Sequence, residues 1–131
     1  MRRMIYVSRS LIGAEPDEIA AIVSSSIRRN TEAHVTGMLW ADSSSFAQVL
    51  EGDPDAVGWT MDRIRTDRRH TEIDVLLDRE VRSRQFGTWS MRQAGDDEAS
   101  THSSAFLMGF ARGERTKGAQ RLYELVLTSV G

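Results

Sequence analysis

The sequence predicts an α+β fold, and three observations carry that prediction. β-rich runs and amphipathic helical runs follow one another in the order β-α-β-β-α-β. Proline opens both helical runs, at Pro16 and Pro54, each directly after a turn signal. The 131 residues, 40% hydrophobic and 27% charged, suit one globular unit with a substantial core.

Met4 to Ser8 is the first strand, with Met4, Tyr6 and Ser8 on one face and Ile5 and Val7 on the other. Gly13 to Pro16 turns into a helix whose first turn carries Asp17 and Glu18, negative charge that the helix dipole favours there. Ile19, Ile22, Val23 and Ile27 recur at helical spacing with Ser26 on the same face, and the pattern ends near Asn30. Val35 to Ala41 is the second strand, Asp42-Ser43-Ser44 a turn, and Ser45 to Glu51 a third strand antiparallel to the second.

Asp53 is placed to cap the second helix, with Pro54 at its first position. Val57, Met61 and Ile64 mark its apolar face, and the polar run Arg65 to His70 ends it. Thr71 to Leu77 is the fourth strand, and Gly87 to Arg92 is a candidate fifth. After Gly95 the composition changes. Asp96, Asp97 and Glu98 lead into a helical run through Phe110, Gly113 breaks it, and Ala119 to Val130 form another. This is the ferredoxin-like order with an additional strand and two C-terminal helices: one sheet in the order 4-1-3-2, with two helices on one face. The last two helices are expected on the other face or against a partner, with Trp59 as a candidate interface residue and Phe106 and Phe110 as core or interface residues.

Composition excludes several function classes. With no cysteine there is no disulfide, thiolate metal site or cysteine nucleophile. Three scattered histidines, His34, His70 and His102, make no metal cluster. Of 17 basic residues only Lys117 is lysine, which argues against Schiff-base chemistry. A net charge of -2 argues against a nucleic-acid binder. No apolar run approaches the roughly 20 residues of a membrane span, and the run after the opening arginines is too short for a signal peptide. The expectation is a cytoplasmic protein without membrane contact. No serine–histidine–acid set, glycine-rich phosphate loop or inward carboxylate pair is evident. An acylphosphatase-like loop would need several arginines after the first strand, where "SRSLIGAE" offers only Arg9. No enzymatic activity is expected.

One residue does not fit its strand. Gln48 stands among Phe46, Ala47, Val49 and Leu50, where an unpaired amide costs on the order of 2–7 kcal/mol. Tyr6 lies on the first strand, which the 4-1-3-2 order sets beside the third, and Asn30 closes the first helical run. A phenol donating to the amide satisfies one group of each and leaves the amide spare capacity. A ligand with carbonyl and ring-nitrogen edges, held between the two helices, could take the remainder.

The blocks "MIYVSRS", "RRNTEAHVTGML", "SFAQVLEGD", "RIRTDRRH" and "FGTWSM", in this order and spacing, resemble those of BLUF domains, blue-light sensors that use FAD. The resemblance runs from Arg3 to about Arg92. It implies residues 1–95 as a flavin-binding photosensor and 96–131 as a helical extension. It implies Tyr6 as electron and proton donor, Gln48 as the amide bridging Tyr6 and the flavin, and Asn30 as anchor of the ring's carbonyl edge. Ile22 and Ile64 would sandwich the ring, with Ser26, Phe46 and Leu50 lining the site. Arg29, Arg63, Asp67, Arg69 and His70 would lie near the ribityl chain and phosphates, Arg29 standing where many members have asparagine or histidine. Trp89 and Met91 would carry the change outward, and Ser8 would support the tyrosine–glutamine pair. FAD is the implied cofactor, with FMN or riboflavin able to take its place. A separate effector protein and a homo-oligomer are the implied partners. The competing expectation is a ferredoxin-like ligand-binding or protein-interaction module without photoactivity.

Overall fold

The computed structural model describes residues 1–130, with side chains described through residue 128. Eight elements follow in order: β1 (Arg2–Ser10), α1 (Pro16–Ala33), β2 (Thr36–Ala41), β3 (Ser45–Gly52), α2 (Pro54–Arg65), β4 (His70–Glu80), α3 (Glu98–Gly113) and α4 (Lys117–Val130). The strands form one antiparallel sheet in the order β2-β3-β1-β4, as the sequence predicts. Helices α1 and α2 cover one face, and α3 and α4 cover the other.

Strand alternation divides the core in two. Ile5, Val7, Trp40, Ala47, Val49 and Phe86 pack with Leu107, Leu122 and Leu125 on the α3/α4 side. Met4, Tyr6, Leu39, Phe46 and Leu50 pack with Ile19, Val57 and Met61 on the α1/α2 side. On that second side one row of directly paired positions runs across the sheet: Leu39, Gln48, Tyr6, Val75.

Local chemistry explains the element ends. The Asp53 carboxylate accepts from the amides of Asp55 and Ala56, at 3.1 and 3.5 Å, ahead of Pro54. Helix α1 does not stop near Asn30; it runs to Ala33 and ends on His34, which takes φ 55°. Asn30 is therefore a buried residue inside the helix. That leaves its amide available for a tertiary contact instead of a cap.

The additional strand expected over Gly87 to Arg92 is not formed. The segment follows the β2 edge with Gly37 N donating to Trp89 O (3.0 Å) and Leu39 N to Arg92 O (2.8 Å). Two residues of β2 thus face three of the segment, so a regular ladder cannot continue, and a single parallel bridge, Leu39 to Gln93, remains. Gly87, at φ 85°, starts the irregular stretch, and a Cβ there would lie 2.1 Å from the Trp89 ring. Upstream, the buried Glu51 carboxylate accepts from Gln85 N, Phe86 N and Arg3 Nε, which ties residues 84–86 to the end of β3.

Among the described residues no helix is long and apolar enough to cross a membrane, and no three-residue metal cluster occurs. Trp59 is 65% exposed and Phe106 41%, whereas Phe110 packs partly against the α3/α4-side core.

Candidate functional site

Tyr6 and Gln48 are Cα partners on neighbouring central strands, so their side chains leave the sheet side by side. The Tyr6 hydroxyl donates to Gln48 Oε1 at 2.5 Å, with both residues buried. The amide nitrogen has a poorer partner: Gln48 Nε2 donates to Met91 Sδ at 3.5 Å, and a thioether is a weak acceptor. The carbonyl end of this amide is firmly held and the NH2 end loosely held.

Burial pushes the Tyr6 phenol far above the ordinary tyrosine value, and the negative charge of Asp67 adds to the rise. The hydroxyl is neutral at any physiological pH. Asp67 is held below the usual carboxylate range, chiefly by the Arg69 side chain, which donates through Nε (2.9 Å) and Nη2 (2.6 Å).

His70, at the start of β4, borders the Tyr6–Gln48 pair from outside that row. Its Nε2 faces the carbonyl oxygen of Ile64 at 2.8 Å, which can only accept, so Nε2 carries the proton. Nδ1 is hydrogen-bonded to Ser8 Oγ at 2.7 Å. Ser8 reaches the pair only through this ring, whose centroid is 6.0 Å from that of Tyr6; it makes no direct bond to Tyr6 or Gln48. Phe46 meets the same imidazole edge-on at 6.2 Å.

Above this row, α1 and α2 leave two adjoining open clefts of about 370 and 390 Å³, counted to their mouths. Tyr6, Phe46, Gln48 and His70 line the first, with Ile22 from one helix and Ile64 from the other. Arg29, Asn30 and Arg63 line the second, and Ser26, Gln48, Ile64, Asp67 and Arg69 belong to both. Asn30 Nδ2 donates to Ser90 O at 2.7 Å, which ties the segment after β4 to this cleft. Arg29 and Arg63 are exposed and form no ion pair among the described residues, whereas Arg69 is neutralised by Asp67.

One expected lining residue stands elsewhere. Leu50 shares the face of Gln48 but is packed in the core and lines neither cleft. Trp89 lies on the α3/α4 side, under the Arg92 guanidinium at 4.8 Å, while Met91 is the buried residue beside Gln48. Sequence reasoning missed Ser25, Leu39 and Thr60 in the lining. The last two had a signal: Leu39 pairs with Gln48 across the β2–β3 hairpin, and Thr60 precedes Ile64 by one helical turn.

The donor set fits a flavin. Two carboxamides, Gln48 and Asn30, offer both donor and acceptor atoms toward the carbonyl and nitrogen edge of such a ring. Ile22 and Ile64 supply aliphatic surface from opposite helices for its two faces. The loosely held Nε2 of Gln48 is the donor with spare capacity.

Comparison with known proteins agrees. Residues 1–92 match the family model BLUF, described as sensors of blue-light using FAD. The chain is 32% identical over 104 residues to photoactivated adenylate cyclase subunit beta of Euglena longa, covering 78% of this chain and 12% of that protein. It thus spans about one eighth of the length of that relative. The dark-state structure of BlrB, a BLUF protein, superposes with a TM-score of 0.71 over 98% of this chain and 96% of that one, at 24% identity. Klebsiella pneumoniae BlrP1 with FMN and cyclic diGMP gives a TM-score of 0.65 at 26% identity, covering 98% of this chain and 30% of that one.

Proposed function

The chain belongs to the BLUF family, and we propose that it is itself a blue-light photoreceptor holding FAD non-covalently between α1 and α2. The observation that carries this reading is the 2.5 Å Tyr6–Gln48 hydrogen bond on the floor of the cleft between two isoleucines. FMN or riboflavin would use the same ring contacts. With no cysteine in the chain, a thioether link to the cofactor is not available.

Gln48 and Asn30 would hold the ring's polar edge, and Ile22 and Ile64 its faces. A flavin excited by blue light supplies an oxidant at this site. Tyr6 is the electron donor. Its buried phenol cannot lose a proton alone, so the electron would go to the excited ring as the proton passes along the short bond to Gln48 Oε1, with Gln48 Nε2 releasing one proton toward the ring so that the amide stays neutral. Gln48 then tautomerises or rotates about its loosely held end, and Tyr6 recovers its electron and proton. The re-aimed amide donor would move the absorption band slightly to the red. The two amide arrangements act as a population switch.

The protein is a sensor in this reading, not a catalyst. Residues 1–95 hold the flavin, and residues 96–131 pass the state to a second copy or to a separate effector. That the Euglena relative is a cyclase supports an effector role for neighbouring domains in such proteins.

The absorption spectrum of the purified protein, in darkness and after blue light, is the test. A yellow protein with a reversible red shift is expected. Tyr6→Phe and Gln48→Leu are expected to keep the colour and lose that shift. A colourless protein after reconstitution with FAD, FMN and riboflavin overturns the reading. Bound flavin without a shift in the wild type leaves the non-photoactive binding module instead.

A further inference from the structure

We propose that Arg92 is the positioning residue that couples the Gln48 rearrangement to helix α3, an inference that rests on the photoreceptor reading above. Residues 89–92 touch both functional regions. On the cleft side, Met91 Sδ receives the Gln48 amide and Ser90 O receives Asn30 Nδ2. On the other side, the Arg92 guanidinium covers the Trp89 ring and pairs with Asp97. Asp97 is the N-cap of α3: Oδ1 accepts from Ser100 N at 2.9 Å and Oδ2 from Ser100 Oγ at 3.0 Å.

One carboxylate therefore both starts α3 and holds the segment that senses the amide. Trp89 is clamped between Gly87, where no side chain fits, and the Arg92 cation. The clamp keeps Trp89 on the α3 side and leaves Met91 beside Gln48. When Gln48 Nε2 leaves the Met91 sulfur, the segment loses one of its three side-chain ties to the α1/α2 side and keeps those of Asn30 and Thr31 to Ser90. Its displacement is carried along Arg92 to the first turn of α3, the end of a helix where unpaired amides depend on the cap.

The test compares light and dark hydrogen exchange of the α3 amides in the flavin-loaded full chain, beside its absorption shift. Two variants remove the ion pair. Arg92→Gln deletes the cation; Asp97→Asn deletes the charge while asparagine caps a helix as well as aspartate. Both are expected to keep the wild-type red shift and dark-state α3 protection, and to lose the light-induced change at residues 98–104. A purely structural pair would lower α3 protection equally in light and dark and leave the difference intact. Either variant retaining the wild-type light–dark difference overturns the proposal, as does a wild type that shifts its spectrum without any change in α3. A wild type with no spectral shift sinks the photoreceptor reading, and this inference with it.

Discussion

The two faces of the sheet are made from alternate residues of the same strands, and nearly all of these residues are buried, yet the faces differ in chemistry. Toward α3 and α4, strands β1 to β3 present Ile5, Val7, Trp40, Ala47 and Val49 to leucines, with Trp40 Nε1 satisfied by Ser104 Oγ at 2.8 Å. Toward α1 and α2, the same strands present Tyr6, Ser8 and Gln48, and the helices stand off to leave a cleft. Burial therefore does not mark the site. The site is marked by buried polar groups whose partners are one another, so that removing one orphans the next.

The largest expected effect lies on the apolar face. Trp40 is fully buried, edge-on to Phe86 at 6.3 Å. Trp40→Ala is expected to cost about 3–5 kcal/mol in chemical denaturation, because the cavity adds to the lost transfer energy. The folded fraction should keep its flavin chemistry, which acts on the opposite face. A selective loss of the red shift with unchanged stability would show that the faces are not separable in this way.

The next effect belongs to the polar face and has a different form. Tyr6→Phe leaves Gln48 Oε1 without a donor, and Gln48→Leu leaves the Tyr6 hydroxyl without an acceptor; each is expected to cost about 1–3 kcal/mol. The double variant removes both groups and should cost less than the sum, by at least about 1 kcal/mol of coupling. Additive losses in urea denaturation would mean that the 2.5 Å bond is not the partner relation it is taken for.

This contrast also explains what the sequence could show. Alternation in β1 and β3 set the two faces, and Asp53-Pro54 marked the start of α2, because both are local signals. Tyr6 and Gln48 stood out because each is polar where its strand is apolar. Two things were hidden for non-local reasons. The end of α1 depends on His34 adopting a left-handed φ, which a run of polar residues does not announce. The segment after β4 is shaped by Glu51, Thr36 and Asn30, partners 33 to 60 residues distant, and by one extra residue opposite β2. Its periodicity reads as a strand, and its hydrogen bonding is not one. The family resemblance named most of the cleft residues, with Ser25, Leu39 and Thr60 left out and Leu50 wrongly included, and it left open the side of the sheet that Trp89 takes.

A smaller effect follows from the Tyr6 phenol. Its folded-state value lies above the unfolded value of about 10, so both states are protonated below that pH and the group contributes nothing to the pH dependence. Above about pH 10 the unfolded chain releases the proton and the native chain does not. Stability should then fall with rising pH, by up to about 1.4 kcal/mol per unit from this group. The difference between wild type and Tyr6→Phe isolates the slope; parallel curves up to about pH 11 would contradict the burial of the hydroxyl.

Asp67 gives the smallest effect and the opposite sign. Its carboxylate is held below the usual range, chiefly by the Arg69 side chain. The stabilisation is fully present above the unfolded value of about 4 and is lost as pH falls through the native value. Because the pair is partly solvated, water and salt screen it, and the loss should be small and reduced further at high ionic strength. Asp67→Asn removes it. The flavin-free variant should therefore match the wild type in its acid-side slope once salt is raised, and differ from it at low salt. If the two slopes differ equally at low and high salt, Asp67 is held by something less exposed than Arg69. The contrast between a wet rim and a dry Tyr6–Gln48 floor would then have to be redrawn.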